Sequence, residues 1–284
     1  MSPLLGASSV SQSLPPSATS AYLQVLGSLL KTHGEAFLPM LAKDWVPNLT
    51  LLADEACLLE DRKLAAYIWC DVFEYCGEAA GPLLDAAMPL LLLGVDSDEP
   101  TLRQPSAYGI GVAAAAAPRS LGSSSWVEPT LQRLAAAAAK PGARTGDQES
   151  ATDNVVSSIG AICVELAAHP AVNHDLDALW SSYLSYLPLR SDIEESSKVT
   201  MQLCRLAQAG DAGLLGSQRE RLPAVWALLT AAAGATGATA AVHEAISDTI
   251  KALEAGLPAK IMAQLWAETP PDVAARARAL VSGA

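Results

Sequence analysis

The feature that most constrains this chain is a rhythm. Apolar residues recur at three- and four-residue spacing in segment after segment. Glycine or proline closes many of these segments. Arg62 to Cys76 shows the pattern: Leu64, Ala65, Ile68, Trp69, Val72, Phe73 and Cys76 form one stripe, and Gly77 stops it. Taken in pairs, the first helices begin near residues 21, 61, 99, 149, 192 and 239, at intervals of 38 to 50. A globular bundle has no need of so regular an interval, whereas stacked helical hairpins repeat every ~40–47 residues. Runs of alternating Val, Ile, Thr and Tyr are missing, so the strand signal is poor. The expected fold is all-α: an α-α superhelix (a HEAT-repeat solenoid) of about six helical hairpins over residues 21–284.

Particular residues sharpen this picture. Residues 1–20 are rich in Ser, carry Pro15-Pro16 and lack charge, which predicts a disordered head with neither the basic start nor the apolar core of a secretory signal. Glu35 to Ala53 reads as one helix kinked at Pro47. Pro82 opens a helix that ends at Gly94, and Pro105 predicts a late start or a bend in the helix that follows. Ile110-Gly111 and Ile159-Gly160 fall at matching points of successive first helices, where glycine lets neighbours approach closely. Acids precede first helices at Asp98-Glu99 and Asp192, as the helix dipole and its free N–H groups favour. Leu222 to Val242 is uncharged, but its Ala, Thr, Gly234 and Gly237 suit helix, loop and helix rather than a membrane span.

Charge and motifs exclude several functions. The net charge is −12, which argues against nucleic-acid binding. The five cysteines are odd in number and have no CxxC spacing, so neither a disulfide framework nor a zinc site is expected. His33, His169, His174 and His243 are isolated. The GxG of Tyr108-Gly109-Ile110-Gly111 lies inside a helix with no strand before it, which excludes a dinucleotide loop. No enzymatic activity, cofactor, metal or membrane insertion is expected.

The acids allow two readings, an ordinary solvated face that serves solubility or a docking surface for a basic protein segment. From Asp54 to Glu99 eleven acids face only Arg62 and Lys63, which leaves nine of the twelve net negative charges in this window. Asp71, Glu74 and Glu78 fall at i, i+3 and i+7, on one helix face opposite the apolar stripe. Such a face suits a basic peptide, with single exposed pairs worth about 0–1 kcal/mol and the whole sensitive to salt. Glu194 and Glu195 are a second candidate pair.

Four colinear stretches carry a family resemblance: Asp61 to Cys76 (DRKLAAYIWCDVFEYC), Leu102 to Val112 (LRQPSAYGIGV), Ala151 to Ile162 (ATDNVVSSIGAI) and Leu179 to Ser196 (LWSSYLSYLPLRSDIEES). They resemble the C-terminal HEAT repeats of the karyopherin-β (importin-β) family of nuclear transport receptors, within it the importin subunit beta-3 (Ran-binding-protein-5) type. Met262-Ala263-Gln264-Leu265 and the short tail resemble the end of those receptors. The resemblance implies a C-terminal receptor portion acting in nuclear import between cytoplasm and nucleus and at the pore. The implied partners are cargo with basic localisation signals and Phe-Gly nucleoporins. Ran-GTP is implied only through an N-terminal arch upstream of the matched region. In this family first helices face outward, where grooves between them take Phe-Gly repeats; Tyr67, Tyr75 and Tyr108 mark the corresponding places here. Cargo is held on the inner side.

Overall fold

The structure is a computed structural model that describes residues 16–167, 175–235 and 237–283. His169 and His174 lie outside the described residues. All regular elements among the described residues are helical. They fall in two compact units, Met1–Asn173 and His174–Ala284.

In the first unit, α1 (Pro16–His33) is followed by a 3-10 turn (Gly34–Phe37), α2 (Leu38–Asp44) and α3 (Val46–Leu51). Helix α1 begins at Pro16, inside the head expected to be disordered through residue 20. The single kinked helix expected over Glu35 to Ala53 is instead broken at Trp45. Pro39 and Pro47 sit in the first turns of α2 and α3, where a missing N–H costs nothing.

Next come α4 (Leu59–Cys76), a 3-10 segment (Gly77–Leu83), α5 (Leu84–Asp96), α6 (Pro100–Ala116), α7 (Pro118–Gly122), α8 (Val127–Ala138) and α9 (Gln148–Ala167). The first helices α1, α4, α6 and α9 pack in chain order, each on the next. Helices α5 and α8 pack against each other and against α6 and α9 respectively. This is the sequential stacking of a repeat array. The predicted stripe of α4 is its core face: Ile68, Trp69, Val72 and Phe73 are at most 2 % exposed. Burying a side chain the size of Phe73 contributes about 1.5–3 kcal/mol.

Small residues set the spacing between helices. A Cβ on Gly111 would lie 2.8 Å from Ser158 Oγ of α9, and one on Gly109 would lie 3.0 Å from Cys70 Sγ of α4. Ser158 Oγ donates to Ala107 O of α6 at 2.6 Å, so the close approach also makes a hydrogen bond across the interface. Gly94 does not end α5, as its sequence position suggested. It lies buried inside the helix, where a Cβ would meet Ser106 Cβ of α6 at 2.7 Å. Helix α6 runs through Pro105 without a late start. Cys70 Sγ donates to Pro105 O at 3.4 Å.

Two of the buried charges in this unit, Asp153 and Arg103, have partners. Asp153 is fully buried, and Arg144 Nη1 donates to it at 2.6 Å. Arg103, 3 % exposed, donates to Ser97 O at 2.7 Å and to Gln148 Oε1. Glu78 secures α7: it accepts from Arg119 N at 2.7 Å and from Ser120 Oγ at 2.8 Å. Burial opposes ionisation of Glu78, but these hydrogen bonds and the Arg119 charge outweigh it and hold the carboxyl below its usual range.

The second unit holds α10 (Leu176–Tyr186), α11 (Ile193–Ala209), α12 (Ala212–Leu215), α13 (Leu222–Ala232), α14 (Ala240–Gly256), α15 (Ala259–Glu268) and α16 (Pro271–Ser282). Asp175, Asp192, Asp211 and Thr239 cap their helices through side-chain oxygens, as the acid before Ile193 suggested. Gly210 closes α11 in the left-handed conformation at φ 66°. Trp226 stacks edge-on against Trp266 at 4.8 Å, and Arg278 lies over the same Trp266 ring at 4.6 Å.

Two stability measurements check these contacts. Gly94→Ala gains about 1 kcal/mol of helix propensity, yet its methyl meets Ser106 Cβ, which no rotamer moves away. It is expected to lower stability by about 1–3 kcal/mol in chemical denaturation, and adding Ser106→Gly is expected to recover most of the loss. Glu78→Ala is expected to cost about 1–2 kcal/mol at pH 7. Because the folded Glu78 titrates below its unfolded value, its contribution is present above the carboxylate range and disappears as pH falls through the folded value. The difference between wild type and variant should therefore narrow as pH falls below the ordinary carboxylate range.

Candidate functional site

The candidate site forms where α1 and α4 face each other. Tyr67, Asp71 and Tyr75 follow one another at four-residue spacing, so they stand along one ridge of α4. Leu64 extends the ridge one turn earlier. Gln24, Gly27, Ser28 and Lys31 of α1 form the opposite wall, and the groove between them has a volume of about 550 Å³. Gly27 opens the space, since a Cβ there would lie 2.6 Å from Asp71 Oδ2. Tyr67 is 52 % exposed, and its ring is available to a ligand.

Asp71 is the unusual member. Its carboxylate is half-buried, yet it makes no hydrogen bond or ion pair among the described residues. Burial raises its pKa, the Glu74 carboxylate raises it further, and the Lys31 charge opposes both. The Tyr75 phenol is raised in the same way, by burial and then by Glu74 and Asp71. The groove therefore offers a partly desolvated negative charge between two aromatic rings. It favours an incoming cation and apolar groups beside it.

The residues expected to act together are distributed otherwise. Glu74 is exposed on α4 beside the groove. Glu78 leaves the face, because α4 ends at Cys76 and Gly77 turns the chain at φ 54°. Its carboxylate is spent on α7. Glu194 is exposed at the start of α11, whereas Glu195 is 6 % exposed and accepts from Lys198 Nζ at 2.6 Å. Neither lines the 260 Å³ cavity at that helix end, which is bordered by Asp192, Ile193, Ser196 and Gly237. Tyr108 is half-buried on α6 and does not line the α1–α4 groove. Sequence reasoning singled out Tyr67, Tyr75, Asp71 and Glu74 but not the wall that completes the site. A signal was present: Gly27 interrupts a leucine-rich helix, at a cost of about 1 kcal/mol relative to Ala that close packing against a neighbour explains.

Among the described residues no three His, Cys, Asp or Glu side chains are grouped to hold a metal ion. Cys70, Cys76, Cys163 and Cys204 are buried. Burial pushes each of these thiols up, which keeps them from acting as nucleophiles.

No family model matches the chain. Importin subunit beta-3 of Saccharomyces cerevisiae is 27 % identical over 175 residues, which is 61 % of this chain and 15 % of that protein. Among solved structures, Kap121p bound to RanGTP matches with a TM-score of 0.61 at 20 % identity, over 93 % of this chain and 23 % of that one. Kap121p bound to Pho4p gives 0.60 at 18 % identity, over 96 % and 24 %. Kap121p bound to Nup53p gives 0.59 at 20 %, over 93 % and 22 %. This chain thus spans less than a quarter of each of these relatives. In sequence it resembles importin subunit beta-3, and in fold it is a HEAT-repeat solenoid of the karyopherin kind.

Proposed function

We propose that this chain is a protein-docking segment of nuclear import. In this reading it receives cargo with basic localisation signals, Phe-Gly nucleoporins or both, and works between cytoplasm, nucleus and nuclear pore. The α1–α4 groove carries the reading: it sets Asp71, with Glu74 exposed beside it, among tyrosines between neighbouring first helices. Similarity to importin subunit beta-3 supports the transport setting. The partners seen with Kap121p, which include RanGTP, Nup53p and Pho4p, belong to that protein. Ran-GTP is assigned to no residue of this chain. The acidic balance of −12 adds long-range attraction for basic partners. Glu194 belongs to this general field as an exposed acid.

Binding of labelled peptides, read by fluorescence anisotropy, tests the proposal. A basic localisation peptide is expected to bind at low salt and to weaken as ionic strength rises. Reversing both Asp71 and Glu74 to Lys is expected to weaken it about tenfold, since exposed pairs contribute up to about 1 kcal/mol each. A Phe-Gly repeat peptide reports on the tyrosine-lined side of the groove and is expected to lose affinity with Tyr67→Ala. Binding of neither peptide at moderate salt would end the transport reading and leave a scaffold for other proteins.

A further inference from the structure

We propose that the α1–α4 groove reads an extended peptide of defined spacing: one basic residue with an apolar residue two positions away on each side. This rests on the reading of the groove as a protein-docking site and names the chemistry of its partner. The first observation is Asp71. Asp153 and Arg103, the most deeply buried ions of this unit, have partners inside it: Asp153 has Arg144, and Arg103 has Ser97 and Gln148, whereas Asp61 is buried without one but lines no groove with aromatic rings. Asp71 is half-buried without such a partner, and Glu74 adds a second negative charge nearby. Lys31 stands on the opposite wall but forms no ion pair with it. A partly desolvated carboxylate left in this state is stabilised by a cation supplied from outside.

The second observation is spacing. Tyr67 and Tyr75 stand four residues before and after Asp71 on the same ridge. At a rise of 1.5 Å per residue, each ring is about 6 Å along the helix from the carboxylate. In an extended chain, residues two apart point to the same side and are separated by about 6.6–6.8 Å. A strand laid along this ridge with its basic residue on Asp71 therefore places residues two before and two after it on Tyr67 and Tyr75. Leu64 carries the apolar surface one turn beyond Tyr67, and Gly27 leaves the opposite wall open for the strand's backbone.

The test uses the full chain and three labelled peptides: a Leu-Ser-Arg-Ser-Leu core in Gly/Ser flanks, the same core with Arg replaced by citrulline, and an isomer ordered Leu-Leu-Ser-Ser-Arg. Wild type is expected to bind the first peptide at least about tenfold more tightly than either of the others. In Asp71→Asn the arginine and citrulline peptides should bind alike. In Tyr67→Ser the preference over the isomer should shrink while the preference for arginine stays. Since burial and the Glu74 charge oppose ionisation of Asp71, Asp71→Asn should leave the thermal midpoint unchanged or raise it, which separates loss of binding from loss of fold. Equal binding of the isomer, an arginine preference that survives Asp71→Asn, or no binding of the first peptide at millimolar concentration would overturn the proposal. Localisation and Phe-Gly peptides measured in parallel keep the two readings apart. If they bind and the spaced peptide does not, only the spacing inference fails. If the spaced peptide alone binds, the transport setting fails and the recognition mode stands.

Discussion

Close approach between successive helices is the constraint on which the first unit depends. Gly94, Gly109 and Gly111 each occupy a place where a methyl group would meet a neighbouring helix at 3.0 Å or less. Helix α6 sits between α4 and α9, and its two glycines face opposite neighbours. Its position is therefore set from both sides. The hydrogen bond from Ser158 to Ala107 O exists because the backbones come this near. Alanine-rich stretches contribute in the same way, since a small side chain lets helices meet through their backbones and still keeps good helix propensity.

Much of this was legible in the sequence. The stripe from Leu64 to Cys76 became the buried face of α4, and Gly77 and Gly210 ended their helices with positive φ. The glycine at 111 was recognised as a contact residue because it repeats a position in a neighbouring hairpin. Gly94 was misread as a terminator because its role lies in a contact with Ser106, twelve positions along the chain. Local punctuation cannot distinguish a glycine that frees the backbone from one that removes a side chain. The same limit applied to Glu78. A helical wheel places it with Asp71 and Glu74, but the wheel has no meaning past the residue where the helix stops. Half of the groove was visible for a similar reason: Tyr67, Asp71 and Tyr75 share one helix, whereas the wall opposite them comes from another.

The acids of the first unit divide into two kinds. Asp153 and Glu78 are satisfied within the molecule, and their charges hold loops and helix starts in place. Glu74 and Asp71 are turned outward or left without an internal partner. A protein that needs only solubility has no reason to sink a carboxylate halfway into a groove, since a fully hydrated one is cheaper. Internal pairing therefore separates acids that build the frame from acids available to a ligand better than acid density along the sequence does.

The chain-order packing of α1, α4, α6 and α9 has a consequence for how such proteins change over time. Each first helix takes its neighbours from the adjacent hairpins, so the interface between two hairpins is a nearly self-contained unit. Duplication or deletion of one whole hairpin preserves the chemistry of the remaining junctions, provided the new neighbours bring matching small residues. Partial insertions break a junction on each side. An architecture of this kind evolves in length by whole steps, and every step that adds a first helix also adds a new groove whose walls drift independently of the others.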